Sequence, residues 1–241
     1  MQKPNFSDLI NFNLKTIKTK DITLVLNHGD LPECWYIPPI MGLGLIFNNY
    51  PYDLKTKAIA FNYPAAINSV INCESIENLA EILVDSYLEK YGFLPENIAN
   101  ISAYSMGGVV AFEMIKILNR KGVKIKSLKI WDKSAQLKKS NSKQKIKKIS
   151  SELMNYVNQI VTTDNQRTQM MNYLLHHQNL IHDYLQKGTI HCELSIYYCS
   201  NNFNKDEIFD WEKINLGATK FIELKNINHY DIPDYWNKLK L

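Results

Sequence analysis

The stretch from residue 98 to residue 114 reads I-A-N-I-S-A-Y-S-M-G-G-V-V-A-F-E-M and decides the fold class of this chain. Its first seven residues predict a β-strand, and apolar residues at helical spacing predict a helix over 106–121. Ser105 stands at the turn between the two, close to the small residues Ala103 and Gly107. The stretch therefore predicts a strand that turns sharply into a helix around a serine.

A serine at such a turn has the geometry of a nucleophile. Its hydroxyl projects above the carboxyl end of the sheet, and small neighbouring residues leave room for the tight backbone. The usual pattern is G-x-S-x-G, and Ala103 replaces the first glycine with the smallest possible side chain. The N–H groups at the start of the following helix suit a developing oxyanion. The alternative role of Ser105 is to cap the helix; the strand before it and the helix after it favour the nucleophile.

Strands and helices alternate on both sides of this turn. Further strands are predicted at 22–26, 34–37, 57–63, 123–131, 190–198 and 217–224. The first two are joined by N-H-G-D-L-P-E, which predicts a hairpin. A helix follows the N-cap residue Ser75, and a short helix lies around Tyr235. The alternation predicts an α/β protein with a mostly parallel central sheet flanked by helices.

One long segment interrupts the alternation. Almost sixty residues separate the strand that ends near 131 from the strand that begins near 190, whereas βα loops usually have about 2 to 6. The segment has helical patterns at 149–161 and 167–186. We therefore expect a helical lid inserted at about 135–188. The chain is shorter than two domains of about 150 residues each, so we expect a single domain that spans 1–241.

The composition is that of an ordinary soluble globular protein, with 45% hydrophobic and 22% charged residues. No apolar run reaches the roughly 18 residues of a membrane span, and the N-terminus lacks a signal-peptide pattern, so we expect a cytoplasmic protein without a membrane span. The cysteines are scattered and favour reduced thiols over a disulfide framework or a metal site. They are Cys34, Cys73, Cys192 and Cys199.

Positive charge is concentrated in one block. The net charge of +4 is too small to indicate a nucleic-acid partner, but residues 138–148 contain six lysines and no acid. These residues are Lys138, Lys139, Lys143, Lys145, Lys147 and Lys148. The block is either a solvated surface segment or a docking site for an anionic partner.

A serine nucleophile needs a general base and a carboxylate to orient it. His229, in N-I-N-H-Y-D directly after the last strand, is the predicted base because it lies at the same sheet edge as Ser105. The acid is either Asp132, directly after the strand 123–131, or Asp206 or Asp210 after the next strand. The histidines of the insertion are interpreted as core or surface residues. They are His176, His177 and His182.

Four motifs together resemble the thioesterase domains of non-ribosomal peptide synthetases, including those of the surfactin type. They are P-P-I-M-G-L-G at 38–44, A-Y-S-M-G-G-V-V-A-F-E-M at 103–114, K-S-L-K-I-W-D-K-S at 126–134 and N-H-Y-D at 228–231. The resemblance extends over nearly the whole chain from about residue 22. It implies the α/β-hydrolase fold with a lid inserted after the acid.

The resemblance also assigns roles to residues. It implies that Asp132 is the acid and that the N–H groups of Ile40 and Met106 form the oxyanion hole. The implied substrate is an acyl or peptidyl chain on the phosphopantetheine arm of a carrier protein, transferred to Ser105 and released by hydrolysis or macrocyclisation. No metal and no cofactor of the enzyme's own is implied. The lysine block would then receive the acidic carrier protein or the phosphate of its arm.

Two other functions stay open at this point. A carboxylesterase, a lipase or an acyl-carrier ester hydrolase would use the same three residues on oxygen esters. A catalytically silent binding protein of the same fold is the second alternative, and the alanine at 103 is its only support. No carrier-protein segment precedes the domain in this sequence, so we expect either an excised domain or a free-standing enzyme.

Overall fold

A computed structural model of the chain describes residues 22–64, 73–138, 150–160, 163–201, 205–236 and 238–239. The strands are β1 (Thr23–His28), β2 (Asp30–Ile37), β3 (Thr56–Phe61), β4 (Asn97–Tyr104), β5 (Lys124–Ile125), β6 (Ser127–Trp131), β7 (Glu193–Cys199) and β8 (Thr219–Leu224). The α-helices are α1 (Ile76–Tyr91), α2 (Gly107–Arg120), α3 (Ser151–Ile160), α4 (Asp164–Asp183), α5 (Lys205–Phe209) and α6 (Ile232–Trp236). Short 3-10 helices span Gly44–Asn49, Asp210–Lys213 and His229–Asp231.

The strands form one sheet in the order β1-β3-β2-β4-β6-β7-β8, and the two-residue strand β5 pairs with β4. The β1–β3 pair is antiparallel, and every other pair of neighbours is parallel. Helices follow several of the parallel strands, as crossover connections between parallel strands require. This architecture confirms the predicted α/β class with a mostly parallel central sheet.

The prediction that the first two strands pair as a hairpin was wrong. Both β1 and β2 pair with β3, which lies between them. The chain turns at Gly29, and Asp30 N then donates to Lys55 O at 2.8 Å, so β2 runs along the far side of β3. The segment from 58 to 61 in β3 is fully buried. A strand that is buried on both faces gains from a central position in the sheet, and this outweighs the pairing of neighbours in sequence.

The sheet buries both of its faces. Alternate residues of β3 show this, since Ile59 and Phe61 belong to one apolar cluster and Ala58 and Ala60 to another. The first cluster contains the buried faces of α1 and α2, and the second contains the 3-10 helix Gly44–Asn49 and the C-terminal helix α6. Helix α1 begins where predicted, because the Ser75 hydroxyl accepts a hydrogen bond from Asn78 N at 3.0 Å.

The two helices α3 and α4 lie between β6 and β7 in sequence, as predicted for the insertion. Helix α4 contributes the buried Leu180 to the first of the two clusters on the sheet, and both helices pack on the loop after β2 in a third apolar cluster. Its buried members are Met41, Leu43, Leu153, Val157, Tyr173 and Leu174. The insertion is therefore anchored on the carboxyl-terminal edge of the sheet, above the end of β2.

None of the helices in the described ranges combines the length and the apolar character that crossing a bilayer requires.

Candidate active site

Ser105 occupies a strained turn between β4 and α2. Its φ is 53°, and among the described non-glycine residues only Asp132 and Asn226 share such a left-handed backbone. Ser105 N donates to Trp131 O at 2.8 Å, and Ser105 O accepts from Gly108 N at 2.9 Å. A left-handed non-glycine residue costs about 1 kcal/mol or more, and these bonds hold it in place. The strain sits where the sequence predicts a nucleophile.

The glycine at 107 allows the start of α2 to touch the loop after β2. A Cβ at this position would lie 2.7 Å from Pro38 O and still closer to Ile37 O. Both atoms belong to the backbone, so a side chain here cannot be accommodated by a rotamer change. Gly107 thus brings the Met106 N–H, at the helix start, close to the loop that contains Ile40.

Asp132 is the carboxylate that the structure brings to His229. Asp132 Oδ2 accepts from His229 Nδ1 at 2.7 Å, and Oδ1 accepts from Cys199 N at 2.7 Å. Asp132 is only 1% exposed, and a buried carboxylate is stable only when paired and hydrogen-bonded in this way. The alternatives lie elsewhere: Asp206 is exposed in the first turn of α5, and Asp210 pairs with Lys213.

This contact fixes the tautomer of His229. Because Nδ1 donates its proton to the carboxylate, Nε2 is left as an acceptor. Burial, together with the negative charge of Asp132, raises the pKa of the neighbouring Cys199 thiol. The thiol therefore stays neutral and does not compete with Asp132 for the imidazole.

Aromatic residues that sequence reasoning missed hold the His229 loop. The Tyr104 hydroxyl donates to His229 O at 2.5 Å, and the two rings lie 5.0 Å apart. Trp236 of α6 is fully buried against Tyr104, with ring centroids 5.6 Å apart, and stacks on Phe47 at 5.1 Å. The sequence signal was available, because Tyr104 precedes the serine directly and Trp236 is one of only four tryptophans.

Ser105, His229 and Ile40 line one cavity of about 220 Å³. The described residues show no hydrogen bond between Ser105 and His229, a bond that in many hydrolases tightens only with substrate bound. The rest of the wall is mostly apolar and comes partly from the inserted helices, through Leu153, Gln178 and Ile181. The cavity therefore suits an apolar chain that ends beside the Ser105 hydroxyl.

The loop from 38 to 44 forms one wall of this cavity and is fixed from several sides. Gly42 N donates to Pro39 O at 2.8 Å, and the left-handed φ of 67° at Gly42 closes the turn. The Tyr63 hydroxyl donates to Pro38 O at 2.7 Å. Within the described ranges the N–H groups of Ile40 and Met106 donate to no other protein group. They are therefore available to an oxyanion.

The remaining predicted residues are only partly described. Lys138 is exposed and lines a second cavity, which shares Gln178 and Ile181 with the first. The other lysines of the predicted docking block, Lys139, Lys143, Lys145, Lys147 and Lys148, lie outside the described residues. In the described part of the chain no group of three His, Cys, Asp or Glu residues could hold a metal, and the four cysteines are unpaired.

The insertion histidines take three different places. His177 is fully buried, and burial lowers its pKa to about 4. His176 contacts the segment at Cys73, and His182 lies 3.0 Å from Asp183.

Comparison with known proteins identifies a family and a fold. The sequence model of the family described as thioesterase domain matches residues 34–211. The Vlm2 thioesterase domain bound with a dodecadepsipeptide has a TM-score of 0.68 and 17% identity, over 90% of this chain and 92% of that chain. SrfTE, described in the cyclization of the lipopeptide antibiotic surfactin, has a TM-score of 0.64 and 14% identity over 90% and 91%.

A third similar structure is BorB, a type II thioesterase from the borrelidin biosynthetic cluster. Its TM-score is 0.70 at 14% identity, over 91% of this chain and 95% of that chain. No curated protein matches the sequence. At these identities the structural likenesses show the shared fold.

Proposed function

The chain belongs to the thioesterase domain family, and from this premise we propose that it is a serine thioesterase that works through an acyl-Ser105 intermediate. The observation that carries the proposal is the buried Asp132 carboxylate, which holds His229 at 2.7 Å in the cavity that Ser105 also lines. The proposed substrate is an acyl or peptidyl chain on the phosphopantetheine arm of a carrier protein. The arm belongs to the substrate, and the proposed chemistry needs no cofactor or metal.

In the proposed acylation step, His229 Nε2 takes the proton of the Ser105 hydroxyl as the oxygen attacks the thioester carbonyl. Asp132 keeps the proton on Nδ1 and stabilises the imidazolium that forms. The carbonyl oxygen becomes an oxyanion, which accepts from the N–H groups of Ile40 and Met106. The carbon–sulfur bond then breaks, the thiolate takes the proton from His229, and the acyl group stays on Ser105.

Deacylation reverses these roles. His229 removes a proton from the incoming nucleophile, which is either water or a hydroxyl or amine of the acyl chain itself, and Ser105 leaves with that proton. The first nucleophile gives hydrolysis and the second gives macrocyclisation. The similar structures include a domain described in a cyclization and a type II thioesterase, so both outcomes belong to the proposal. Exclusion of water by the inserted helices would decide between them.

We propose that the carrier protein docks at the lysine block that begins at Lys138. Lys138 is exposed beside the second cavity, which adjoins the cavity of Ser105. A positive surface there would attract an acidic carrier or the phosphate of its arm. Reversing the charge of these lysines should weaken the use of carrier-bound substrate and leave turnover of a small thioester unchanged. Equal losses on both substrates would contradict the proposal. We also propose a cytoplasmic location, which suits unpaired cysteines.

The test of the proposed function is intact-mass analysis. The protein is incubated with an acyl thioester mimic and, separately, with a serine-directed fluorophosphonate, and Ser105→Ala is treated in parallel. Ser150→Ala is the matched control, because Ser150 is another serine on the wall of the same cavity. One adduct on the native protein and on Ser150→Ala, absent from Ser105→Ala, supports the nucleophile. Failure of the folded native protein to react with either reagent would favour the silent binding protein.

The second candidate is an esterase that acts on oxygen esters. The apolar cavity favours it as much as it favours a thioesterase, because the wall recognises the acyl chain and not the leaving group. The comparison that separates the two is kcat/KM for a thioester against the oxygen ester with the same acyl chain. A larger value for the oxygen ester would replace the thioesterase by the esterase.

A further inference from the structure

Two adjacent histidines of α4 each hold a backbone carbonyl of a distant segment. His176 Nε2 lies 2.9 Å from Cys73 O, and His177 Nδ1 lies 2.9 Å from Ile40 O. A carbonyl oxygen only accepts, so each of these nitrogens carries a proton and donates it. His177 thus connects the inserted helix to the loop that lines the Ser105 cavity.

The His177 side chain is held rigidly in place. It is fully buried, and its ring meets Tyr173 at a centroid distance of 4.3 Å and Tyr63 at 5.3 Å, both edge to face. Burial keeps the ring neutral by lowering its pKa to about 4, so Nδ1 carries the proton and Nε2 carries none. His177 Nε2 is buried and has no hydrogen-bond partner. The contact with Ile40 is therefore its one hydrogen bond in the described residues.

The bond to Ile40 O completes the fixation of the neighbouring N–H group. The Ile40 N–H belongs to the peptide unit whose carbonyl is Pro39 O, and in a trans peptide the two point in opposite directions. Gly42 N holds that carbonyl at 2.8 Å, while His177 holds the next one, Ile40 O. With the peptide units on both sides of the Ile40 Cα fixed, the Ile40 N–H has one direction.

The geometry points to His177 as a positioning residue: through Ile40 O it aims the Ile40 N–H at the oxyanion that forms on the Ser105 adduct. This inference rests on the proposed function, and it adds that the oxyanion hole is assembled only when α4 is seated. Separation of α4 from the loop would break the bond to Ile40 O and leave the Ile40 N–H fixed on one side only, by the hydrogen bond between Gly42 N and Pro39 O. The inserted helices then control transition-state stabilisation as well as access.

The chain offers closely matched variants for a test. His177→Asn places an amide N–H near the position of Nδ1, whereas His177→Gln reaches towards Nε2 and His177→Phe keeps only the ring. His176→Phe is the control, since it removes a bond of equal length from the same helix to a carbonyl outside the loop. Each variant is assayed for kcat and KM on an acyl thioester, and for inhibition by the trifluoromethyl ketone with the same acyl chain. That ketone forms a hemiketal with a catalytic serine and places an oxyanion in the hole.

Loss of one oxyanion donor lowers kcat by about 10²–10³-fold, and we expect His177→Phe and His177→Gln to lose about 10-fold or more because the donor is misdirected rather than removed. The inhibition constant for the ketone should rise by the same factor while KM changes little. His177→Asn should have nearly the kcat and the inhibition constant of the native protein, and so should His176→Phe. Circular dichroism identifies variants that have not folded, and if His177→Phe is one of them the Asn and Gln pair decides.

Three results would overturn the inference: native kcat in folded His177→Phe, equal kcat in His177→Asn and His177→Gln, or an equal loss in His176→Phe. A wild-type protein that neither turns over the thioester nor binds the ketone would instead refute the proposed function.

Discussion

Replacing Asp132 by asparagine keeps the shape of the side chain and should lower kcat by about 10⁴-fold. The structure dictates how the amide must lie. Cys199 N donates to Oδ1 at 2.7 Å and still needs an acceptor, so the asparagine oxygen stays at that position. The amide nitrogen then faces His229 and presents a proton to Nδ1. The imidazole must accept there, and its own proton moves to Nε2, where the proton of Ser105 should be received.

The loss corresponds to about 5 kcal/mol of transition-state stabilisation, at 1.36 kcal/mol per tenfold change in rate. It is measured as kcat on an acyl thioester near neutral pH, and as the rate of fluorophosphonate labelling of Ser105. Asp206→Asn and Asp210→Asn are the controls. Both residues lie away from His229. Asp206 is exposed, and a surface substitution changes the free energy of unfolding by only about 0.5 kcal/mol, whereas Asp210→Asn keeps the shape of a side chain that pairs with Lys213. Activity of Asp132→Asn within about tenfold of the native protein, or a large loss in either control, would refute this reasoning.

Gly107→Ala should lower the melting temperature and the activity together, because the added Cβ would lie 2.7 Å from the backbone atom Pro38 O. Thermal unfolding measures the effect, and Gly92→Ala is the control. At Gly92 the added Cβ meets nothing within 4 Å, and only the left-handed φ of 77° is strained. Gln178 Oε1 is buried without a partner on the cavity wall, so acyl chains with an N–H or hydroxyl donor should be preferred. Gln178→Leu should then shift the ratio of kcat/KM towards plain aliphatic thioesters by about tenfold, and an unchanged ratio would contradict this. Burial lowers the pKa of His177 from 6.5 to about 4, so as the pH falls the imidazole of the unfolded chain is protonated before that of the folded chain. The free energy of unfolding should therefore be at its full value above pH 6.5 and lower by about 3 kcal/mol at pH 4. Urea unfolding across this range measures the loss, which should be absent in His177→Asn.

Local patterns predicted the elements that carry the site. The strand, turn and helix around Ser105 follow from periodicity and small residues over the 24 positions from 98 to 121, and the structure places them as β4 and α2. These elements can be predicted without knowledge of long-range contacts, because the turn geometry requires small residues next to the serine. The catalytic roles of Ser105, Asp132 and His229 stay predictions until labelling and kinetics test them.

Long-range pairing was not accessible in the same way. Asp132, Asp206 and Asp210 all follow strands that end at one edge of the sheet, so only the family resemblance favoured the first of them. In the structure a left-handed backbone at Asp132 and the N–H of Cys199, 67 residues away, turn this carboxylate towards His229. The insertion of β3 between β1 and β2 was missed for a similar reason, because central placement depends on burial against the whole sheet.

For the insertion histidines, the sequence could indicate burial but not the hydrogen-bond partner. His177 was interpreted as a core or surface residue, and it is indeed fully buried. Its hydrogen bond to Ile40 spans 137 positions of the chain, and no periodicity of either segment announces it.

The seating of α4 on the loop at Ile40 has a consequence for protein engineering. The inserted helices begin after Asp132 and end before β7, which makes them an obvious module to graft from one enzyme to another in order to change the product. Such a chimaera would keep the carboxylate and the imidazole but lose the donor to Ile40 O. A successful graft would need to bring a donor to that one carbonyl, and a library of exchanged lids could be screened for it before any substrate is tried.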